Sequence, residues 1–436
     1  MNSLELQLDI DLRQIIVAIE TAVSLVGMDD TNHGKRVGYM ASRLCQELGF
    51  SEADTQYAFE LGLLHDCGVS TEQMHANLIN YFDWDNAYLH CETAYALLKD
   101  FEPLAKFARP ILYHHTPWEK LKTMDVSLFD KRMANIIFLV DRVDAIAASH
   151  YNNDILLFRT EALGIIEQFK GRYFDPALVN AFRELVRTEA FWISLKDRHI
   201  TRYVWDMEQL GNNRPLTLGQ LKHLSLILAY VVDQKSPFTA KHSVLVADLA
   251  KYLATVYGFS PEQCAKIEIA GLLHDLGKLH IADAILDKPG KLTEAERAIM
   301  NTHSYETYEI LRHIKGLEEI AHWAAYHHEG LNGIGYPFHP LAQSLTTEAR
   351  MIAVADVFQA LVQDRPYRSG MSLEQALGIL DEMVDSGKLD FLIVSLVHEH
   401  RDHCYQVAKG EGKYADGFYV TSTNHNGQPQ GLSLKV

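Results

Sequence analysis

The chain has 436 residues, of which 47% are hydrophobic and 22% charged, and its formal net charge is −17. This length fits two or three domains with sizeable cores. The acidic balance argues against binding DNA or RNA, which requires a basic surface. No apolar run approaches the roughly 20 residues that span a bilayer. The five cysteines lack CxxC pairing, so we expect a cytoplasmic protein with reduced thiols and no membrane contact.

Metal-binding residue types run through the first half of the chain. Histidine and aspartate are ligands that borderline and hard divalent metals prefer. They stand in TNHGKRV, in GLLHD, in HCETAYALL, in the HH pair at 114–115 and in IIFLVDRVDAIAA. The residues concerned are His33, His65, Asp66, His90, His114, His115 and Asp141.

The second half repeats this series in the same order. GLLHD at 62–66 returns at 271–275, and in both copies a histidine lies 32 residues before the HD pair. The interval from the next histidine to the HH pair is 24 residues in both copies. Such matching intervals indicate a tandem duplication. The second-copy residues are His242, His274, Asp275, His303, His327, His328 and Asp356.

Helical periodicity dominates both copies. In IEIAGLLHDLGK, Ile267, Gly271 and His274 fall on one helical face, so the histidine shares that face with core residues. Turn residues in GNNRPLTLGQ (211–220) indicate a boundary near residue 210, and FYVTST near 418–423 is the best strand candidate. We predict an all-α fold with a domain at 1–210 that includes a linking helix, a second at 211–408 and a mobile tail at 409–436.

The seven second-copy residues are too many for one ion with open positions and suit two ions. Ligands spread over a helical fold must project inward from several helices. We assign one ion to His242, His274 and Asp356. The other is assigned to His303, His327 and His328, with Asp275 as the bridge. Because paired ions can activate a water and stabilise a leaving oxygen, this predicts a metal-dependent phosphohydrolase.

Four strings together resemble the bacterial HD-GYP phosphodiesterases: HDLGK (274–278), KPGKLTEAE (288–296), HHEGLNGIGYP (327–337) and ADVFQALVQDRPYR (355–368). The resemblance covers roughly residues 220–400. The first copy is similar to the wider HD phosphohydrolase superfamily and lacks the GYP element. The resemblance implies tandem HD-type helical domains, an iron or manganese centre, and hydrolysis of a cyclic dinucleotide to a linear product.

Carried over by position, the resemblance implies that the seven second-copy residues bind metal. It places Asp275 and Lys278 in catalysis, with Lys278 on a substrate phosphate. Gly335, Tyr336 and Pro337 would shape the pocket mouth, and packing of Tyr336 on its neighbours is the open alternative. Arg365 and Arg368 would hold the substrate's phosphates, the alternative being a solvated helix end. Phe238 stands where some members carry a glutamate for a third metal, so we expect two ions.

The first copy departs from this pattern around its HD pair. Val69 stands at the position of Lys278, and HHTPWEKL replaces the glycine loop. Its seven ligands nevertheless survive, which leaves two interpretations open. The first domain either retains metal binding or a separate phosphomonoesterase activity, which would remove the 5′-phosphate of the linear product, or it is a remnant that serves as a packing or dimerisation partner.

The tandem arrangement is similar to family members that act on 3′,3′-cGAMP, which is the substrate we expect. Cyclic di-GMP is the alternative within the same class. A non-catalytic cyclic-dinucleotide sensor would lack metal ligands or Lys278, and a generic HD nucleotidase would not need the GYP loop. The second copy has lost none of these features.

Overall fold

The computed structural model describes residues 5–26, 32–80, 82, 86–151, 153–209, 214–235, 241–364, 369–411, 419–423 and 429–434. Helices make up most of these residues, so the predicted all-α fold is confirmed. Residue contacts divide the chain into two units. Unit A contains Leu12–Asn212 and Ser422–Leu432, and unit B contains Met1–Asp11, Asn213–Thr421 and Ser433–Val436.

Unit A is built from twelve described helices and a 3₁₀ turn at Ala148–His150. The helices are α1 (Leu12–Ser24), α2 (His33–Glu47), α3 (Glu52–Leu64), α4 (Glu72–Asn80), α5 (Tyr88–Leu98), α6 (Glu102–Tyr113), α7 (Trp118–Leu121), α8 (Leu128–Ala147), α9 (Ile155–Gln168), α10 (Pro176–Leu185), α11 (Glu189–Ile193) and α12 (Asp197–Gln209).

Unit B repeats the helical plan and adds short 3₁₀ helices at Leu276–His280 and Ala342–Ser344. Its described helices are α13 (Leu218–Lys235), α14 (His242–Tyr257), α15 (Pro261–Leu273), α16 (Asp283–Leu286), α17 (Glu294–Met300), α18 (His303–Leu311), α19 (Glu318–Ala325), α20 (Thr347–Val362), α21 (Leu373–Asp385), α22 (Phe391–Glu399) and α23 (Arg401–Lys409).

Four short strands complete the described secondary structure. β1 (Gln7–Asp11) pairs antiparallel with β2 (Pro215–Thr217), so residues 7–11 belong to unit B although the predicted first domain began at residue 1. β3 (Tyr419–Thr423) pairs with β4 (Pro429–Leu434), which confirms the strand expected near 418–423. The boundaries at 210 and 408 and the mobility of the tail stay predictions.

Equivalent local signals start the helix that leads to each HD pair. Ser51 caps α3 by accepting a hydrogen bond from the backbone N–H of Asp54, and Ser260 caps α15 by accepting one from Gln263. Each serine satisfies a backbone donor that the first helical turn leaves unpaired. Both helices end immediately before the histidine of the HD pair. The repeat in sequence is therefore a repeat in local structure.

Two glycines of unit B allow the close approaches that assemble its histidines. A Cβ atom on Gly271 would lie 2.8 Å from Cα of Ala247, so the missing side chain lets α15 cross α14 closely. A Cβ atom on Gly277 would overlap the carbonyl oxygen of His303, at the start of α18. The first crossing positions His242 beside His274, and the second brings His303 to the HD pair.

Candidate metal centres

The first ligand cluster of unit B joins three helices. His242 begins α14, His274 follows α15 and Asp356 lies in α20, and all three side chains are buried. The Nε2 atom of His242 lies 3.3 Å from Nε2 of His274 and 3.3 Å from Oδ1 of Asp356. Donor atoms that share one ion at about 2.1 Å lie about 3.0–3.4 Å apart, so these residues fit one metal ion.

The second cluster consists of His303, at the start of α18, and of His327 and His328, which follow α19. The Nε2 atoms of His303 and His327 lie 3.3 Å apart. One ligand atom from each of the three histidines lies within 4.8 Å of the others. The assignment of these three histidines to a second ion is therefore geometrically consistent.

Asp275 lies between the two clusters and turns one carboxylate oxygen towards each. Its Oδ2 is 3.5 Å from Nε2 of His242 and 3.3 Å from Nε2 of His274. Its Oδ1 is 3.5 Å from His303 and 3.9 Å from His327, and it is buried without a hydrogen-bond donor among the described residues. A buried anionic oxygen in that position fits a bridging metal ligand.

Hydrogen bonds on the outer ring nitrogens fix the orientation of the ligand histidines. Nδ1 of His274, His303 and His327 each lies 2.7 Å from a backbone carbonyl oxygen three residues earlier. Nδ1 of His242 lies 2.6 Å from Oε1 of Gln359. Because these oxygens only accept, each Nδ1 carries a proton, which leaves the Nε2 lone pairs of His274, His303 and His327 directed into the clusters. Facing lone pairs need a proton or a metal ion between them.

The electrostatics of the metal-free centre favour anionic Asp275 beside neutral His303 and His328, whereas His242 is protonated. Burial opposes ionisation of Asp275, but neighbouring positive charges that include Lys278 outweigh it and hold the pKa of Asp275 well below its usual range. Burial lowers the pKa of His303 to about 4 and that of His328 to about 3. Burial also opposes charge on His242, yet hydrogen bonds to two carboxylates raise its pKa to about 10.

A cavity of about 640 Å³ opens onto both clusters. Its wall includes Asp275, His328 and Asp356 from the clusters, and Lys278, which is half-buried and donates a hydrogen bond to Oδ2 of Asp275. The ring of Tyr336 also lines it, with its centroid 4.8 Å from that of His328. The metal ligands are thus accessible to a ligand of nucleotide size.

The GYP loop is positioned by a residue that sequence reasoning missed. The buried Oε1 of Glu329 accepts hydrogen bonds from the backbone N–H groups of Phe338, at 2.6 Å, and His339, at 3.1 Å. Gly335 is buried, and a Cβ atom there would lie 2.5 Å from the carbonyl oxygen of His328. These contacts hold Tyr336 against the second cluster. The predicted phosphate-binding Arg365 and Arg368, and Phe238, lie outside the described residues.

Gln359 was also missed, although the repeat carries a signal for it. It lies three residues after Asp356 and therefore on the same face of α20. In unit A the residue three positions after Asp141 is Asp144, whose Oδ2 accepts from Nδ1 of His33 at 2.7 Å. Each copy therefore places, one turn beyond its last ligand, the side chain that orients its first histidine.

Unit A reproduces the geometry of the ligand clusters. Nε2 of His33 and Nε2 of His65 lie 3.3 Å apart, and those of His90 and His114 lie 3.2 Å apart. Asp66 again separates the two pairs, with Oδ2 3.4 Å from His65 and Oδ1 3.3 Å from His90. His33, His65 and Asp66 form one candidate ligand group, and His90, His114 and His115 form another. The unit A residues therefore also fit divalent metal.

The surroundings of the two centres differ. The guanidinium of Arg142 donates to Oδ2 of Asp141 at 2.9 Å, whereas the corresponding position in unit B is Val357. Val69 occupies the place of Lys278, and among the described residues the cavity that borders His33, His65 and Asp66 measures about 20 Å³.

The described helices and the cysteines bear on whether the protein contacts a membrane or contains disulfides. Among the described residues, no helix combines the length and the apolar character needed to cross a membrane. All five cysteines are free thiols and are buried. The expected absence of disulfides is therefore consistent with the structure.

Comparison with known proteins identifies both units. HD domain models match residues 31–148 and 227–393. The chain is 38% identical, over 94% of its length and 96% of the relative, to 3′3′-cGAMP-specific phosphodiesterase 1 of Vibrio cholerae. It is 37% identical to 3′3′-cGAMP-specific phosphodiesterase 3 of the same organism over 51% of this chain and 48% of the relative.

A solved structure shares the fold. It is the crystal structure of a cyclic GMP-AMP specific phosphodiesterase of V. cholerae, with a TM-score of 0.63 and 24% identity over 90% of this chain and 98% of the other. Over a smaller region, 35% of this chain and 41% of the relative, the chain is 37% identical to a cyclic di-GMP phosphodiesterase response regulator of Xanthomonas campestris. The chain belongs to the family of HD-GYP cyclic-dinucleotide phosphodiesterases.

Proposed function

We propose that unit B hydrolyses one phosphodiester bond of a cyclic dinucleotide and releases a linear dinucleotide. The observation that carries the proposal is the position of Asp275, whose two oxygens face two histidine clusters at the wall of a cavity of about 640 Å³. Paired metal ions, when bound there, supply Lewis-acid activation of the phosphodiester and of the attacking water.

The residues around the metals have distinct roles in this proposal. Lys278 reaches the cavity and already neutralises Asp275, so its ammonium group can bind the scissile phosphate and balance charge that develops on it. Tyr336 restricts the approach to the second cluster and excludes water on that side. Gly335, Arg365 and Arg368 remain in the proposal as pocket and phosphate-binding residues.

We further propose two metal ions in unit B, iron or manganese. The donor set of five histidines and two aspartates suits either metal. Elemental analysis of protein purified under anaerobic conditions measures the number and identity of the ions. Two ions per unit B, lost on chelation together with activity and restored with iron or manganese, are the expected result.

The preferred substrate is proposed to be 3′,3′-cGAMP, since two relatives carry that specificity in their names. Cyclic di-GMP is the second candidate, favoured by the similarity to cyclic di-GMP phosphodiesterases. Initial rates with the metal-loaded protein on each cyclic dinucleotide, with products identified by mass spectrometry, decide between them. Binding without turnover of any of them would instead indicate a sensor.

Unit A is proposed to bind metal through His33, His65, Asp66, His90, His114, His115 and Asp141. Removal of the 5′-phosphate from the linear product is a second proposed activity of this unit. Incubating the linear product with the wild-type protein and with a His65→Ala, Asp66→Ala variant tests it. Equal rates of phosphate release in both would exclude unit A as the source.

The last proposals concern the location of the protein, its binding to nucleic acid and its assembly. We propose a cytoplasmic enzyme, because its thiols are unpaired, that does not bind DNA or RNA, because its net charge is −17. A homodimer is proposed as the assembly in which unit A serves as packing partner. Light scattering of the purified protein measures its oligomeric state, and light scattering with added DNA tests whether it binds DNA.

A further inference from the structure

The unit B cavity has a second basic region, away from the Lys278–Asp275 pair. Lys288, Lys291 and Arg297 line the same cavity as the metal ligands. Lys288 and Lys291 lie in the segment between α16 and α17, and Arg297 lies in α17. A basic wall in a protein of net charge −17 indicates a local site for an anion.

Only two of these three side chains have charge available for a ligand. Nζ of Lys288 lies 2.7 Å from Oε1 of Glu296, so its charge is already neutralised. Arg297 and Lys291 are exposed, and within the described ranges neither has a carboxylate within 4.0 Å. Their positive charges therefore face the cavity without a described protein counter-ion.

The segment that carries Arg297 is well anchored. Thr293 and Glu296 form a reciprocal capping box at the start of α17. Met300, near the end of the same helix, lines the cavity as well, one turn after Arg297. Tyr336 of the GYP loop lines the same cavity as Arg297.

A cyclic dinucleotide carries two phosphodiesters, but the metals and Lys278 can take only one of them. The other phosphate keeps its negative charge and needs a partner in the cavity. Arg365 and Arg368, proposed above as phosphate-binding residues, lie outside the described ranges and are assigned to neither phosphate. We propose that Arg297 and Lys291 bind this second, non-scissile phosphate and so make the cavity selective for substrates with two phosphates. This inference rests on the proposed function of unit B.

The test compares substrates with two phosphates and with one. Arg297→Gln, Lys291→Gln and the double variant are assayed on 3′,3′-cGAMP, cyclic di-GMP and cyclic di-AMP, and on bis(4-nitrophenyl) phosphate, which has a single phosphate. Arg312→Gln is the matched control, since Arg312 is exposed directly after α18 and pairs with Glu309 rather than lining the cavity. Metal content and thermal unfolding confirm that each variant is folded and loaded.

For every cyclic dinucleotide that the protein cleaves, we expect each single variant to raise KM by roughly tenfold. The double variant should raise KM further. The fold-change in KM should be the same for all three cyclic dinucleotides, because they differ in their bases and share their phosphates. The value of kcat should stay unchanged, because the contact is made equally in the ground state and in the transition state. The Arg297 and Lys291 variants should turn over bis(4-nitrophenyl) phosphate at the wild-type rate. The Arg312→Gln variant should have wild-type kinetics on every substrate.

Three results would overturn the inference. Unchanged KM in the double variant would show that the phosphate is held elsewhere. A base-dependent change would show that the side chains contact the bases instead. An equal loss on bis(4-nitrophenyl) phosphate would place them at the scissile phosphate. In all three cases the wild-type protein still cleaves cyclic dinucleotides, whereas failure of the wild type itself would overturn the proposed function as well.

Discussion

The two units hold nearly the same arrangement of histidine and aspartate in different surroundings. In each, an aspartate lies between two histidine pairs whose Nε2 atoms are 3.2–3.3 Å apart. In unit B this arrangement faces a cavity of about 640 Å³, whereas the described cavity that borders His33, His65 and Asp66 in unit A measures about 20 Å³. Similar clusters of candidate ligands therefore adjoin described cavities of very different volume.

The residues that differ lie next to the ligands rather than among them. Lys278 supplies a cation to the cavity of unit B, and Val69 removes it in unit A. Arg142 binds the outer oxygen of Asp141, where unit B has an apolar side chain. A few neighbouring substitutions thus give two similar clusters of histidine and aspartate different charges beside them.

The largest expected effect comes from removing the bridging carboxylate. Asp275→Asn should lower kcat/KM for the cyclic dinucleotide by on the order of 10³-fold or more, because a neutral amide is a poor bridge between two cations. Asp66→Asn, the matched change in unit A, should leave this activity within about twofold. Steady-state kinetics and elemental analysis of both variants check the comparison, and comparable losses in the two would contradict it.

The sequence predicted which histidines and aspartates would assemble because the duplication supplied an internal comparison. Equal intervals of 32 and 24 residues place seven polar side chains at equivalent positions in two copies, and both sets come together in the structure; that they bind metal stays a prediction. Intervals define which helix face a residue occupies. They contain no information on the other partners of these side chains, so the hydrogen bond from Arg142 to Asp141 was not predicted.

Non-local contacts account for the remaining differences. β1 pairs with β2, about two hundred residues later in the chain, and nothing in the sequence of residues 7–11 specifies that partner. Glu329 was read as part of a motif, but its function is to accept hydrogen bonds from the backbone of the GYP loop. Lys291 was likewise part of a motif, and only the cavity shows that it shares a wall with Arg297.

The second prediction concerns the cation beside the bridge. Lys278→Met should lower kcat by about 10²–10³-fold while both metals remain bound, because the lysine stabilises charge on the phosphate and is not a ligand. Val69→Met at the matched position of unit A should leave the rate unchanged. Loss of metal together with activity in the lysine variant would instead show that Lys278 maintains the metal centre.

A smaller effect is expected from removing the side chain that accepts a hydrogen bond from the first histidine of each copy, His242 in unit B and His33 in unit A. Gln359→Ala should weaken binding of the ion held by His242 by roughly 10–100-fold, since it removes the acceptor for the Nδ1 proton. Asp144→Ala should do the same for His33 in unit A without affecting turnover. Competition with a chromophoric chelator measures both affinities, and Gln359→Glu should restore binding in unit B because it restores an acceptor.

The smallest predicted difference lies in the pH dependence of metal loading. In metal-free unit B, the pKa of His242 is raised to about 10 whereas that of His303 is lowered to about 4, so at neutral pH one ligand proton must leave. In unit A burial opposes charge on both His33 and His90. Hydrogen bonds to Asp144 and Asp66 outweigh it at His33, and the charge of Cys91 together with a hydrogen bond to Asp66 outweighs it at His90. The pKa of His33 is raised well above its usual range and that of His90 to about 10, so two protons must leave.

Metal competes with these protons, so affinity rises with pH in both units, and more steeply in unit A. The expected slopes near neutral pH are about tenfold per pH unit for unit B and about a hundredfold for unit A. Calorimetry in buffers of different ionisation enthalpy counts the protons released, with Asp66→Asn and Asp275→Asn variants isolating one unit each. Equal proton release would mean that the different surroundings of the two sets of candidate ligands leave their protonation alike.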